Sequence, residues 1–532
     1  MYTQTLSAIL RDVLHLKKVE DDDNFFSLGG DSIRAIEVVG RIQDELGLKL
    51  ELIDILKHPS VRALNAALVA QSRAHVNTGV APVSERTAYR TSPVQRGLYL
   101  LERVTGRQEI SNLPVVLEFE AGLDPALSEK AFSRVWQRHE ILRTTFTLER
   151  GALVQIVRPP EAVRCPFVYT DLGEQSSQSL QLLFDAAARE PFDLETGPPL
   201  KFHLVRLSES SCVALLSIHH IVSDSFSVAT IENDFRYYYD EAAGRRVLGG
   251  GASEPQPLAF QYKDYVYWLD EWAEGPDGKR SLAFWADALA GYDKPGVFDS
   301  GASAAAPFAS ARVDHSLDAA TLAKIQGVSA EYEVTLFVVL QCCIKVLLFL
   351  RTGRTDIVIG TAVTTRDSVP LSGQIGPFVN VLPIRTVLSG ETSFERLLTS
   401  VNNATLAALA HKLLPLETLA EKLMHGSPLF DVGFTLQKRN APARPERALT
   451  EGHTLSETLG VKLLFVAYEG PRGVDIRIRY QTAHFSRDEV REMAGDLIRV
   501  INALCDNRDA KFADLFKLTQ PADAYAIELN LE

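Results

Sequence analysis

Cysteine is scarce in this sequence, positive charge is outweighed by negative charge, and no CxxC pair is present. The 532 residues contain five cysteines, two of them adjacent, which argues against both a disulfide framework and a zinc site. Reduced thiols, and hence a cytoplasmic location, are the expectation. The net charge of −13 disfavours nucleic acid and anionic membranes as partners, because both are bound through basic patches.

Long apolar runs are also missing. The longest, Val334 to Leu350, contains Gln341 and Lys345 and is too short for a membrane span, so it predicts a buried core helix. Residues 1–14 mix charged and apolar side chains, unlike a signal peptide. The composition, 46% hydrophobic and 23% charged, is that of a globular protein. At roughly 100–200 residues per domain, the length predicts three or four compact units.

Residues 1–72 have the pattern of a small helical unit. Apolar residues recur at helical spacing in residues 3–16, 33–46 and 61–70, and a short helix is predicted to end before Pro59. Together these segments predict an all-α bundle of four helices. Residues 73–90 lack apolar periodicity and are rich in turn-forming residues, which predicts a linker.

A serine follows two glycines at the start of the second predicted helix. The string from Leu28 to Ile33 resembles the attachment site of peptidyl carrier domains, in which the serine carries 4′-phosphopantetheine. By this resemblance Ser32 is the attachment site, modified by a phosphopantetheinyl transferase. The positive end of a helix dipole would favour the phosphodiester there. Residues 1–70 carry a net charge of only −3, which resembles a peptidyl carrier more than a fatty-acid carrier.

Two histidines and an aspartate follow a predicted buried strand in the larger unit. The run from Cys212 to Ile218 is apolar and rich in β-branched residues, which predicts a strand. His219 and His220 stand at its end, and Asp224 follows. A strand end holds side chains rigidly, and a neutral histidine can accept a proton near pH 7. The residues alone leave open whether the histidines are catalytic or structural.

Seven strings along residues 90–440 resemble, in order and spacing, the motifs of the condensation domains of nonribosomal peptide synthetases. They begin at Ser92, Arg138, His219, Tyr262, Ile375, His411 and Ser427. The resemblance implies an α/β domain of two chloramphenicol-acetyltransferase-like lobes in a V shape, at 91–270 and 271–525. An approximate repeat agrees, because a strand-like segment and then a helix-capping aspartate occur at both Asp124 and Asp318.

The implied reaction is amide formation, in which the amine of an acceptor aminoacyl thioester attacks the thioester on a donor carrier. By resemblance His220 is the base or hydrogen-bond acceptor for the amine, and either role stays open. The resemblance implies a catalytic group of His220, His219 and Asp224, in which His219 and Asp224 are mainly structural. It implies no metal ion at the site. Asp224 is expected to orient its loop by pairing with Arg143, and Asn380 to line the site near the lobe interface.

The sequence departs from the family pattern at three places, which put in question how the acceptor substrate is bound rather than the fold. Ser225 stands where glycine is usual, which puts the local backbone geometry in doubt. Lys412 replaces a common glutamine in the sixth motif, and Met424 to Gly426 replace the leading Arg-Asp of the seventh.

Other functions share part of the resemblance. An epimerisation domain has the same histidine pair, but Phe378 to Asn380 favours condensation. Non-catalytic recruitment modules lose the His-His-x-x-x-Asp pattern, which is intact here, and heterocyclisation relatives carry aspartates in place of the histidines. The implied partners are a downstream acceptor carrier and an upstream adenylation domain of one longer assembly line. Chain order makes the carrier at Ser32 the expected donor.

Overall fold

The structure is a computed structural model of the chain. The residues it describes are 2–14, 16–26, 28–30, 32–46, 50, 54–55, 58–71, 79–119, 122–173, 177–244, 253–292, 296–298, 309–366, 371, 373–424, 428–438, 461–470, 473–513 and 515.

The first unit consists of helices that share one small apolar core. Its helices are α1 (Thr3–Val13), α2 (Ser32–Leu46) and α3 (Val61–Gln71). The residues predicted to face inward in α1, such as Leu6 and Ile9, are fully buried against residues of α2 and α3 such as Ile42 and Leu64. The short helix predicted before Pro59 lies largely outside the described residues, so the count of four helices stays a prediction.

The next elements form a four-stranded and a three-stranded sheet, with helices packed against them. They are β1 (Tyr89–Arg90), α4 (Pro93–Thr105), β2 (Asn112–Phe119), α5 (Pro125–Arg138), β3 (Thr144–Glu149), β4 (Ala152–Val157), β5 (Phe167–Asp171), α6 (Ser177–Arg189), β6 (Leu200–Ser208), β7 (Ser211–His219), α7 (Ser225–Ala242) and α8 (Tyr262–Glu274). The strand orders are β2-β7-β6-β5, with only β5 and β6 parallel, and β1-β4-β3, which is antiparallel.

The remaining elements are built around a mixed six-stranded sheet. They are α9 (Pro276–Ala288), β8 (Ser310–Ser316), α10 (Ala319–Glu331), α11 (Leu336–Thr352), β9 (Asp356–Thr364), β10 (Val379–Val387), α12 (Phe394–Ala410), α13 (Leu416–Met424), β11 (Val432–Lys438), β12 (Leu463–Gly470), β13 (Gly473–Gln481) and α14 (Arg487–Asp506). The strand order is β10-β9-β11-β12-β13-β8, in which β11 runs parallel to both of its neighbours.

The repeat predicted from the sequence is present as two strand–helix units. After β2, the Asp124 side chain accepts a hydrogen bond from the Leu127 amide and caps α5. After β8, Asp318 caps α10 in the same way through the Thr321 amide. Each capped helix packs onto a separate large core, which gives the two halves of the α/β region their similar build.

Helix α11 is the buried core helix expected from the long apolar run, and every residue from Val338 to Leu350 is buried. Lys345 lies within it with no exposed surface, and its ammonium donates to the carbonyls of Ile357 (3.1 Å) and Ile384 (2.8 Å). Within the part of the chain that the structure describes, no single helix is long and apolar enough to cross a membrane. Helices α10 and α11 reach that length and apolarity only as a pair bent by 111°.

Burial of Lys345 is expected to make stability depend on pH. Loss of hydration lowers the pKa of its ammonium from 10.5 to about 7. Between these two values the unfolded chain binds a proton at Lys345 that the folded chain does not, so the contribution of Lys345 to the free energy of unfolding should rise with pH from 7 to 10.5 and level off below 7. The slope from one such proton is at most about 1.4 kcal/mol per pH unit.

Urea unfolding at pH 7, 8 and 9 should show this slope reduced in Lys345→Met. Lys279→Met provides the control, because Lys279 is an exposed lysine on α9. The variants leave every tyrosine and cysteine in place, so the difference between their slopes isolates Lys345 together with its electrostatic interaction with Cys342. Equal slopes in wild type and Lys345→Met would contradict the assignment.

Candidate active site

The histidine pair lies where a central strand meets a helix. Strand β7 is hydrogen-bonded on both sides, to β2 and β6, and ends at His219. A short 3-10 helix, His220–Val222, follows, and then α7 begins with Asp224 as its N-cap. The carboxylate of Asp224 accepts from the Ser227 amide at 2.8 Å. A strand held on both sides and a capped helix therefore fix the two ends of the turn that carries His220.

His219 is engaged through both ring nitrogens. Its Nδ1 accepts from the Ile221 amide at 3.0 Å, so its hydrogen must be on Nε2, which lies 2.5 Å from Oε1 of Glu102. Both residues are buried, with His219 0% and Glu102 6% exposed. In this arrangement His219 has no lone pair to offer a substrate.

His220 is arranged differently. Its Nδ1 lies 3.4 Å from the Ser223 carbonyl, which assigns the hydrogen to Nδ1 and leaves the lone pair on Nε2. Among the described residues, no side chain or backbone group is hydrogen-bonded to that Nε2. Burial lowers the pKa of His220 below its ordinary value of 6.5, so the ring is neutral at pH 7 and able to accept a hydrogen bond or a proton.

Asp224 pairs with Arg366, and the predicted pairing with Arg143 is wrong. The Nη2 atom of Arg366 lies 2.9 and 3.1 Å from the two carboxylate oxygens, and the Phe378 amide donates to Oδ2 at 3.1 Å. Asp224 and Arg366 are 3% and 6% exposed. Because Arg366 follows β9, this buried ion pair joins the two halves of the α/β region.

Arg143 lies elsewhere because the 3-10 helix Glu140–Arg143 directs its side chain back toward α5. Its Nη1 donates to the Gln137 carbonyl at 3.4 Å, and its Nη2 lies 3.9 Å from Glu140. Sequence reasoning missed Arg366, since it lies in none of the seven strings. The one feature of the sequence that pointed to Arg366 was its position directly after a strand rich in β-branched residues. An arginine in such a position is too common to identify it as the partner of Asp224.

The fifth motif closes over the start of α7. The Gly376 amide donates to Ser227 Oγ at 3.1 Å, and Tyr262 donates to the Pro377 carbonyl at 3.3 Å. A Cβ atom on Gly376 would lie 2.1 Å from the Tyr262 ring, so only glycine permits this approach. The motifs that are distant in sequence thus meet around Asp224.

Asn380 contacts a neighbouring turn rather than an open space. Its Nδ2 donates to the carbonyls of Lys412 (2.7 Å) and Leu414 (2.8 Å), and its Oδ1 accepts from the amides of Val381 and Leu416. The amide group is therefore fully used in holding the sixth motif against β10. In this structure Asn380 is 5% exposed.

The doubt about Ser225 is resolved by the backbone. Ser225 is the first residue of α7, and the described non-glycine residues with positive φ are Arg150 and Glu333. A helical serine needs none of glycine's conformational freedom, so the substitution leaves the turn intact. Met424 is the last residue of α13. The residues that follow it, 425–427, include the rest of the departure before the seventh motif, and they lie outside the described residues.

The start of α2 has features that fit a phosphodiester. The helix begins at Ser32, and its first turn contains no acidic residue. Arg34 donates to the Gly29 carbonyl at 2.6 Å, which brings a cation to the turn before the helix. Backbone N–H groups at a helix start lack intrahelical partners, so this turn suits an attached phosphate. Phosphopantetheine, when attached, supplies a thiol that carries an acyl group as a thioester.

Comparison with known families matches both units of the chain. Residues 4–68 match the family described as phosphopantetheine attachment site, and residues 85–525 match the family described as condensation domain. The chain is 29% identical to tyrocidine synthase 2 of Brevibacillus parabrevis over 97% of its length, and 27% identical to gramicidin S synthase 2 of Brevibacillus brevis, also over 97%. It spans only 14% and 11% of those two proteins.

Solved structures share the fold of the larger unit. The X-domain in its complex with OxyB from teicoplanin biosynthesis has a TM-score of 0.71 at 25% identity, covering 83% of this chain and 98% of the X-domain. The first condensation domain of the calcium-dependent antibiotic synthetase has a TM-score of 0.64 at 18% identity, covering 81% of this chain and 99% of that domain.

Proposed function

The chain belongs to the condensation-domain family, and we propose that it joins a donor acyl group to an acceptor amine through an amide bond. Its phosphopantetheine attachment domain precedes the condensation domain in the same chain. We propose Ser32 as the attachment residue. The proposed units are a four-helix peptidyl carrier at 1–72, a linker at 73–90 and two chloramphenicol-acetyltransferase-like lobes in a V shape at 91–270 and 271–525.

The single observation that carries this proposal is the Nε2 lone pair of His220. An attacking amine forms the new C–N bond with the thioester carbonyl carbon, the C–S bond breaks, and the amine loses a proton. His220 accepts a hydrogen bond from that amine or takes its proton, which finally reaches the leaving thiolate. Its neutral ring at pH 7 suits either role.

The remaining residues of the site position His220 and keep it in place. His219 has both ring nitrogens engaged, and the Asp224–Arg366 ion pair holds the start of α7 against the segment before β10. A thioester is already reactive, so much of the rate would come from holding the two reactants together away from water.

The carrier at Ser32 is proposed to be the donor. It precedes the condensation domain by a short linker, and a tether of suitable length raises the local concentration of its thioester. The amine would then arrive on a separate acceptor carrier, and an adenylation domain of the same assembly line would activate the amino acid. We propose the cytoplasm as the location, in keeping with five free thiols.

A recruitment role is the second candidate, because the X-domain that shares this fold is found in a complex with OxyB. Under that alternative the second unit would bind a partner protein and form no amide. The open Nε2 of His220 favours catalysis. An epimerisation role would instead require a product with inverted configuration and unchanged length.

The decisive experiment loads the carrier and follows the acyl group by intact-protein mass. A phosphopantetheinyl transferase and an aminoacyl-coenzyme A should attach aminoacyl-phosphopantetheine to the peptide that contains Ser32, so that this group has both a thioester and an amine. Added aminoacyl-pantetheine should then be extended. For a donor carrier, the lengthened product appears on the added aminoacyl-pantetheine, and the phosphopantetheine on Ser32 is left with a free thiol. Product accumulating on Ser32 would reverse the direction, and no lengthened product would favour recruitment.

Ser32→Ala should abolish loading, and Ser60→Ala is the matched control. Ser60 also stands at a helix start in the same unit, where its hydroxyl accepts from the Ala63 amide. Ser60→Ala should therefore be loaded like wild type. Loading of Ser32→Ala would show that the attachment residue is a different one.

A further inference from the structure

We propose that Glu102 is a positioning residue for His220, acting through the tautomer of His219. This inference rests on the proposed role of His220 in amide formation. Glu102 lies on α4, far from the histidines in sequence, and its Oε1 is 2.5 Å from His219 Nε2. No motif or spacing in the sequence links the two residues.

A chain of hydrogen bonds leads from Glu102 to the turn that carries His220. Accepting the Nε2 hydrogen of His219 leaves Nδ1 free to accept from the Ile221 amide at 3.0 Å. Gln95, also on α4, donates to the Ile221 carbonyl at 3.1 Å. Helix α4 thereby holds the residue after His220 directly at its C=O group, through Gln95, and indirectly at its N–H group, through His219.

The contact differs from ordinary core packing because it places a carboxylate in a buried position. Glu102 is 6% exposed and His219 is 0% exposed. Burying a carboxylate is unfavourable unless it is hydrogen-bonded, and an apolar side chain would fill the same space without that cost. What the carboxylate adds is an acceptor that selects one tautomer of His219.

Removing the acceptor should displace His220. Without Glu102, His219 can take the Nδ1–H tautomer, which would face the Ile221 N–H with a second donor. The ring or the turn must then move, and a shift of about 1 Å at a reacting group can cost about 10²-fold in rate.

A second buried histidine–carboxylate pair provides a matched control. His139 Nε2 lies 2.9 Å from Oδ2 of Asp234, and both residues are buried. Asp234 lies on α7, ten residues after Asp224, which corresponds to about 15 Å along a helix. Its loss should affect stability without altering the His220 turn.

The test compares Glu102→Gln, Glu102→Leu and Asp234→Leu in the full chain with loaded Ser32 and aminoacyl-pantetheine. Glu102→Leu should lower kcat by roughly 10–100-fold with little change in KM. Glu102→Gln keeps an oxygen acceptor and should stay within about threefold of wild type. Asp234→Leu should lower the melting temperature but leave kcat within about threefold.

Nitrogen-15 spectra of the protein with labelled histidine report the tautomer of His219 independently of any activity measurement. Wild type and Glu102→Gln should show His219 protonated at Nε2, assigned by loss of its signal in His219→Ala. An Nδ1–H tautomer in wild type would overturn the proposal even if Glu102→Leu failed to fold. So would a folded Glu102→Leu whose kcat falls no further than that of Asp234→Leu. Absence of amide formation in wild type would instead refute the proposed function.

Discussion

Replacing His220 with alanine is expected to lower the rate of amide formation by about 10²–10⁴ while the fold is retained. The variant removes the one ring nitrogen of the pair that has no hydrogen bond from any residue the structure describes. The rate should be measured under single turnover with loaded Ser32 and saturating aminoacyl-pantetheine. Circular dichroism and the melting temperature should match wild type, because the side chain is only partly buried.

The pH dependence should identify the same group. Because burial lowers the pKa of His220 below 6.5, the wild-type rate should hold from pH 7 down to that lowered pKa and fall only on further acidification. His220→Ala should lack this acid limb. A loss smaller than about threefold in His220→Ala would leave positioning as its only role.

His203→Ala is the control for this experiment. His203 lies on β6, next to β7, with its Nε2 2.8 Å from Thr170 Oγ1, and burial lowers its pKa as well. It has no contact with the turn that carries His220 among the hydrogen bonds of the described residues. Its replacement should leave the rate and the acid limb unchanged.

Replacing Asp224 with alanine is expected to cost about 3–5 kcal/mol of folding stability, because the buried guanidinium of Arg366 then lacks its counter-ion. The carboxylate also accepts from the amides of Ser227 and Phe378, so the cap of α7 is lost as well. Urea unfolding measures the change in the free energy of unfolding. Activity should fall with the disordering of the turn rather than through loss of a reacting group.

A double-mutant cycle separates this ion pair from the pairing expected from the family resemblance. Asp224→Ala combined with Arg366→Met should be less destabilised than the sum of the single variants, since no unpaired buried charge remains. Asp224→Ala combined with Arg143→Met should be close to additive. Additivity in the first cycle and coupling in the second would contradict the observed contacts.

Local patterns in the sequence were sufficient for several helices and one strand of the fold. The spacing of apolar residues predicted α1, the long apolar run predicted the buried helix α11, and both helices are present. The capping residues Asp124 and Asp318 begin the helices at which they were expected, each accepting a backbone hydrogen bond. These features depend on contacts within about four residues, which a single sequence displays directly.

The histidine pair was also evident from the sequence, and the family resemblance implied that His220 acts on the amine while His219 is mainly structural. The hydrogen bonds that distinguish the two rings were not evident. That distinction depends on Glu102 and Ile221 at His219 and on Ser223 at His220. Glu102 precedes His219 by more than a hundred residues, and nothing in the spacing indicates that α4 packs against the end of β7. Only the folded chain brings the carboxylate to the ring.

The sequence by itself determined the order of the two units and several of their helices, and it predicted the residues that are proposed to carry the chemistry. Tertiary structure alone decided that Asp224 pairs with Arg366 and that Asn380 holds a turn. The Asp224–Arg366 pair depends on where the two halves of the α/β region meet, whereas the Asn380 contacts depend on how β10 packs against a turn of its own half. In both cases the partners are more than thirty residues apart in the chain. A sequence offers many oppositely charged residues that could pair with a given charged side chain. Only the packing of the folded chain brings one of them within ion-pair distance.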